Sequence, residues 1–319
     1  MLKPKFLIPA AALTYLIRRE YIHGLEYLYS LSLCRGDKAF LFNCNNISAE
    51  LSALDKIRPE FDAIKKWSAE APLETFYLGS ENGKIYLRYF KQRNKSRRYV
   101  IALHGYGCDG RSMLFCAKKF YEAGFNVLIP DLPCHGKSYG KFIGMGQYEY
   151  KDIIKTAKKI TAEDKSAEIM LYGVSMGAAV VLAATAAEDL PENVRCVVSD
   201  CSFSDAKSIL AFQLKNIFHF PPDFIIHDLD RIYRKKSGLS LKGADIKKFV
   251  SRSAVPTLFI HGSADGIVPA ETVFKLYNAA NCPKDILIVN GAGHGVSAYT
   301  DIPLYWGKVL DFADRYFTC

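Results

Sequence analysis

A chain of 319 residues, half of them hydrophobic and 24% charged, has the balance of a folded globular protein, with no disordered or collagen-like character. Its nine cysteines are odd in number, scattered and without a C-x-x-C pair, which argues against a disulfide framework or zinc site and for reduced thiols in a cytoplasmic compartment. The net charge of +9 is uneven, because residues 207–252 carry ten Lys or Arg against four Asp. With no recognition motif for nucleic acid, this stretch reads as a solvated basic face, or one attracted to anionic substrates or membrane surfaces.

Lys3 and Lys5 lead into a run over 6–17 that is apolar apart from Thr14. It is too short for a bilayer, which needs about 20 residues. No small-x-small cleavage site follows before Arg18-Arg19-Glu20. An amphipathic or packed helix, peripheral membrane contact and a short signal core remain the readings of this run. Residues 1–73 read as a helical extension, with Ser48 as a helix start ahead of Leu51 and Leu54, and Pro59 as an interruption.

The period changes at Glu74. Runs over 75–78 and 85–90 flank Glu81-Asn82-Gly83, a hairpin signal. Apolar runs over 99–103, 126–129, 168–172, 194–198, 257–260 and 286–289 then alternate with helical stretches over 112–123, 148–160, 176–187, 270–280 and 304–316. Such alternation predicts a parallel sheet covered on both faces, opened by an antiparallel hairpin. Almost sixty residues separate the strand ending at Ser199 from the one starting at Thr257, where a crossover needs only about 12. The insertion reads as a cap over about 202–254. Several of its Phe212, Phe218, Phe220 and Phe224 are expected to line an apolar acyl pocket above Ser175.

Gly173-Val174-Ser175-Met176-Gly177 joins an apolar strand to the small-residue helix that follows. A G-x-S-x-G turn of this kind exposes the serine Oγ above the sheet, and its glycines avoid collisions at a tight corner. A serine hydroxyl needs a base to remove its proton, and the base needs a third group to fix its tautomer. In a parallel sheet these groups converge at the carboxyl ends of strands. Asp265 stands there in His261-Gly262-Ser263-Ala264-Asp265-Gly266-Ile267-Val268-Pro269, and His294 in Gly291-Ala292-Gly293-His294-Gly295. Asp200, at the end of another strand, competes with Asp265 as the acid. His104-Gly105-Tyr106-Gly107 follows the strand over 99–103, so the backbone amides of Tyr106 and Met176 are candidate oxyanion donors. His104, His135 and His261 read as loop-ordering residues, and His219 and His227 as surface or packing residues. Cys108 and Cys201 lack a base of their own.

These motifs resemble the α/β-hydrolase superfamily in order and spacing, over about residues 74–317. The likeness is to uncharacterised bacterial, Firmicute-type serine hydrolases with an N-terminal helical extension, and more distantly to monoacylglycerol lipases and peptidase-like members. One departure is Asp131-Leu132-Pro133-Cys134-His135-Gly136-Lys137-Ser138, with Pro and Cys where the family often has Arg-Gly. The resemblance implies an α/β fold with a mostly parallel eight-stranded sheet over 74–319, helices on both faces and the helical cap. It implies a serine hydrolase that cleaves carboxylic esters of small or medium acyl groups through Ser175, His294 and Asp265. Thioesterase, amidase or peptidase and acyltransferase activities use the same triad, and a non-catalytic binding protein is the alternative outside enzymes. No metal or organic cofactor is implied. The expected partner is a small-molecule ester, without nucleic acid, and with peripheral membrane contact through the N-terminal segment or the basic cap as a further reading. The oligomeric state is left open.

Overall fold

The computed structural model describes residues 10–36, 48–81, 83–218 and 223–318. Among the described residues, three helices precede the first strand: α1 (Ala10–Leu33), α2 (Ser48–Ile57) and α3 (Glu60–Glu70). Pro59 caps α3, where its missing N–H leaves no helical bond unmade. Part of the apolar run over 6–17 lies outside the described residues, and on α1 the side chains of Tyr15, Ile17 and Ile22 are exposed. Among the described residues, no helix is long and apolar enough to cross a membrane.

The strands are β1 (Leu73–Ser80), β2 (Gly83–Phe90), β3 (Arg98–Leu103), β4 (Asn126–Pro130), β5 (Glu168–Val174), β6 (Val194–Asp200), β7 (Thr257–Gly262) and β8 (Lys284–Val289). They form one eight-stranded sheet in the order β1-β2-β4-β3-β5-β6-β7-β8. The hairpin β1–β2 is antiparallel, Leu73 opposite Phe90 and Ser80 opposite Gly83, and β2 also runs antiparallel to β4. From β4 to β8 every pairing is parallel. The expected hairpin tip at Asn82 lies outside the described residues. The central strands are apolar on both sides because both faces of a parallel sheet are covered.

On one face lie α5 (Tyr150–Glu163) and α6 (Met176–Ala184), with Ile153, Ile160, Val180 and Val181 in the core. On the other lie α4 (Leu114–Glu122) and α12 (Ile302–Tyr316), with Phe120, Trp306 and Phe312. The helices ahead of the sheet divide between the two faces. Tyr29 and Leu33 of α1 join the first core, and Ile57 and Ile64 of α2 and α3 join the second. Trp67 stacks on Phe90 of the hairpin with ring centroids 4.7 Å apart.

Between β6 and β7 stand α7 (Ala206–Phe218), α8 (Asp223–Ser237) and α9 (Ile246–Val250). Tyr233 of α8 meets Tyr29 of α1 at 6.2 Å. The loop after β4, which departs from the family motif, is held from a neighbouring strand. Arg88 Nη1 donates to Asp131 Oδ1 at 2.6 Å, and the same carboxylate accepts the amides of Gly110 and Lys137.

A tight corner forms at the turn from β5 into α6. A Cβ on Gly173 would lie 2.3 Å from the Gly177 carbonyl oxygen, and one on Gly177 would lie 2.5 Å from the Leu103 oxygen. Neither contact involves a side chain that can move aside. Gly177→Ala must therefore push α6 off β3, and the expected destabilisation is ~3 kcal/mol or more, beyond an ordinary overpacked core. Urea unfolding measures it, and a loss under about 1 kcal/mol would show that the corner has slack.

Candidate active site

Ser175 occupies the corner with φ of +56°, a region that side-chain-bearing residues enter only when their surroundings impose it. The imposition is visible on both sides. The Ser175 N–H donates to the Asp200 carbonyl at 2.8 Å, and its own carbonyl accepts from Ala179 as α6 begins. The loop after β3 passes directly over it, since a Cβ on Gly105 would stand 3.3 Å from the Ser175 Cβ. Tyr106 follows in that loop, its hydroxyl donating to the Ser32 carbonyl at 2.6 Å. The Met176 amide opens α6, where helical amides have no intrahelical acceptor.

His294 reaches the corner from the loop after β8. Its Nε2 lies 2.7 Å from Ser175 Oγ and its Nδ1 2.7 Å from Asp265 Oδ2. Asp265 is itself well supplied with donors. Its Oδ1 accepts the amides of Ile267 and Val268 at 2.9 and 2.8 Å, and the ring of His261 stands 3.1 Å from Oδ2. Burial alone would raise this carboxyl's pKa, but the His294 charge and the His261 hydrogen bond hold it far below the usual range. Burial pulls the His294 imidazole down, but the Asp265 charge, the neighbouring Cys201 and the hydrogen bonds to both together more than reverse this, leaving its pKa well above the ordinary value. The pair is set to hold a proton on His294 with Asp265 ionised.

The other candidates separate cleanly. Asp200 makes no hydrogen bond to His294 among the described residues. Its Oδ2 accepts from Tyr305 Oη at 2.9 Å, and that phenol meets Tyr172 Oη at 2.8 Å. The side chain is 1% exposed, and burial raises its pKa to about 6. Cys201 lies beside the imidazole, with its Sγ in a cluster with ligand atoms of Asp265 and His294. Burial pushes that thiol up to about 11, and both imidazole nitrogens already face Ser175 and Asp265. His104 accepts the Leu132 amide, His135 accepts the Gly107 amide, and His261 bonds the Val268 carbonyl, so all three order loops. His227 is exposed beside Asp228, and His219 lies outside the described residues.

Above Ser175 opens a cavity of about 750 Å³, within the usual range for a small-molecule site. Its wall corrects the expectation about the inserted phenylalanines. Phe224 is 57% exposed and stacks on Tyr21, and Phe212 is not part of the wall. The side chains of Phe218 and Phe220 lie outside the described residues. Helical geometry explains the miss. On α7 the residues facing the cavity are Ile209, Leu210, Gln213 and Leu214, a set spaced three and four apart, and Phe212 falls on another face. A further part of the apolar wall comes from α2 and α3 through Leu51, Leu54, Ile57, Phe61 and Ile64, and residues of the segments that follow the strands, among them Phe115, Met145, Phe203 and Tyr299, complete it. Glu50 of α2 was also not anticipated; its Oε1 accepts the His294 N–H at 2.5 Å. Ser48 marked the start of α2 in the sequence, but no local signal ties a residue there to one 244 positions away.

A mostly parallel sheet with an antiparallel hairpin at one edge, a serine at the turn after β5 and helices on both faces make up the α/β-hydrolase fold, and the chain has that fold. More narrowly, residues 94–220 match the family model described as serine aminopeptidase, S33. The chain is 26% identical to the uncharacterised protein YqkD of Bacillus subtilis, over 75% of this chain and 79% of that one. It is 23% identical to a monoglyceride lipase homologue of monkeypox virus, over 69% of this chain and 90% of that one. The Pyrococcus furiosus esterase Pf2001 superposes with a TM-score of 0.65 at 21% identity, covering 80% of this chain and 96% of that structure.

The raised pKa of Asp200 has a consequence for stability. A carboxyl at about 6 when folded and ~3.9 when unfolded penalises the folded state once ionised. That penalty grows as pH rises through this interval and amounts to about 3 kcal/mol above it, order of magnitude. Asp200→Asn keeps an acceptor for Tyr305 and carries no charge. Its melting temperature should gain on wild type between pH ~4.5 and ~8, the groups common to both proteins cancelling. A difference that is the same at both pH values would rule out a strained Asp200 carboxylate.

Proposed function

We propose that the protein is a serine hydrolase that cleaves carboxylic esters of small or medium acyl groups. The observation that carries this reading is the His294 ring, held 2.7 Å from both Ser175 Oγ and Asp265 Oδ2 at the base of an apolar cavity. Ser175 Oγ attacks the acyl carbonyl while His294 Nε2 takes its proton, and Asp265 keeps the Nδ1 proton in place and stabilises the imidazolium. The amides of Tyr106 and Met176 receive the oxyanion, a contribution typically of ~10²–10³ in rate for one donor. Collapse of the tetrahedral species breaks the ester C–O bond, and His294 returns the proton to the departing alcohol. Water then repeats the sequence on the acyl-serine and releases the acid. The names of an esterase and a monoglyceride lipase homologue among similar proteins support an ester, and the serine aminopeptidase family model makes p-nitroanilides the natural comparator.

Ser175→Ala should fold normally and lose p-nitrophenyl ester turnover by several orders of magnitude. Asp265→Asn should cost far more in kcat than Asp200→Asn, because only the partner of Nδ1 selects the tautomer. Retention of more than about a tenth of wild-type turnover by the serine variant would falsify the nucleophile, and equal losses for the two aspartates would move the acid to Asp200.

The acyl chain is assigned to the wall formed by α2, α3 and α7. Each buried CH₂ adds about 0.8 kcal/mol, so kcat/KM should climb up to about fourfold per carbon from acetate until the cavity is full. Leu54→Ala with Phe61→Ala should flatten this climb and leave acetate turnover unchanged, whereas Phe224→Ala should not alter it. A wild-type profile already flat from acetate to octanoate removes the acyl role from this cavity.

A further inference from the structure

We propose that Glu50 is a positioning residue for His294, so that the reactivity of Ser175 depends on α2, a helix ahead of the hydrolase sheet. This rests on the reading of Ser175 and His294 as nucleophile and base. Four observations converge on it.

The first is the contact itself. Glu50 is 8% exposed, and its Oε1 accepts the backbone N–H of the residue that carries the imidazole, at 2.5 Å. The second is how closely the carboxylate lies against that loop. A Cβ on Gly293 would stand 2.5 Å from Glu50 Cδ and Oε1 and 2.7 Å from Oε2, so a side chain there would displace the carboxylate.

The third is the softness of the segment. His294 lies between Gly293 and Gly295, with Gly291 just before them; Gly291 and Gly295 have φ of +71° and +69°. Backbone rich in glycine resists displacement poorly, yet the ring must hold hydrogen-bond distance to two groups at once. The loop is tied to its neighbour short of this residue, the Gly291 N–H donating to Ser263 Oγ and the Ala292 carbonyl accepting the Ala264 N–H, and the Glu50 oxygen extends that bracing to position 294 itself. The fourth is that Glu50 Oε2 is buried and has no partner among the described residues. A carboxylate kept for stability alone would be expected to have both oxygens satisfied, because a buried unpaired acceptor is destabilising.

The same helix also packs on α11 (Ser297–Thr300), directly after the histidine loop, and presents Leu51 and Leu54 to the cavity. One helix therefore faces the acyl chain and braces the base. Glu50 itself touches no reacting atom in this scheme; it acts through the His294 backbone.

The test compares Glu50→Gln with Glu50→Asp in the full-length protein. Glutamine keeps an oxygen at the same reach but not the charge, and aspartate keeps the charge but withdraws it by one methylene. With p-nitrophenyl acetate, Glu50→Gln should stay within about threefold of the wild-type kcat. Glu50→Asp should lose about tenfold, the upper scale of one lost hydrogen bond. KM should change less than twofold in both, and fluorophosphonate labelling of Ser175 should slow in parallel with kcat. Circular-dichroism melts establish that each variant is folded at the assay temperature. Should Glu50→Asp not fold, Glu50→Gln still decides, since a folded Gln variant that loses tenfold in kcat means that the acceptor is not what matters. Glu50→Asp labelling as fast as wild type, or outperforming Glu50→Gln, overturns the inference on its own. A wild-type protein that is not labelled at Ser175 at all overturns the underlying serine-hydrolase reading, and this inference with it.

Discussion

The structure hangs on the approach of α6 to the sheet at the corner after β5. Gly173 faces the carbonyl of Gly177, and Gly177 faces the carbonyl of Leu103, at distances no other residue permits. This packing holds Ser175 in its left-handed conformation and fixes its Oγ above the carboxyl edge of the sheet. Everything else at the site is measured from that point. Because β3, β6, β7 and β8 run parallel to β5 or to each other in one sheet, their following loops all open on the same edge. Strand direction brings His104 to Gly107, Asp265 and His294 to that common edge.

Two buried carboxylates a short way apart show how hydrogen bonding, more than burial, decides charge. Asp265 collects two backbone amides and two imidazole rings, and its pKa falls despite its burial. Asp200 has a single phenol on Oδ2, while Oδ1 has no partner among the described residues, and its pKa rises. The sequence presents the two almost alike, each just past a strand end. Only the donors around them distinguish a group built to stay ionised beside an imidazolium from one that is strained when charged.

That contrast marks the limit of what the residues alone reveal. The eight strands, their order of appearance and the serine corner were legible because period, glycine spacing and strand–helix alternation are local properties. The convergence of Ser175, Asp265 and His294 was legible because a parallel sheet gives strand ends a common destination. The lining of the cavity was not. Which side of α7 faces inward depends on how the helix is docked, and the conspicuous Phe224 was spent on Tyr21 at the surface. The part of α2 and α3 in the wall was hidden for a different reason. Their apolar residues satisfy ordinary amphipathic packing, and nothing near them in sequence says that the buried side ends at a serine more than a hundred residues away.

This division of labour has a mechanical consequence. The sheet supplies the chemical groups on short loops between rigid strands, so Ser175 is fixed by the hydrogen bonds of its own N–H and carbonyl, and Asp265 by the amides two and three residues on. His294 is the exception, on a glycine-rich loop whose backbone amide is held from outside the sheet, by Glu50. His294 is thus the member whose placement is least determined by the sheet and most by an added helix. In the proposed mechanism, a rigid nucleophile paired with a base held from the cavity wall would let the shape of the cavity bear on the alignment of the reacting groups, which a base fixed wholly by the sheet would not allow.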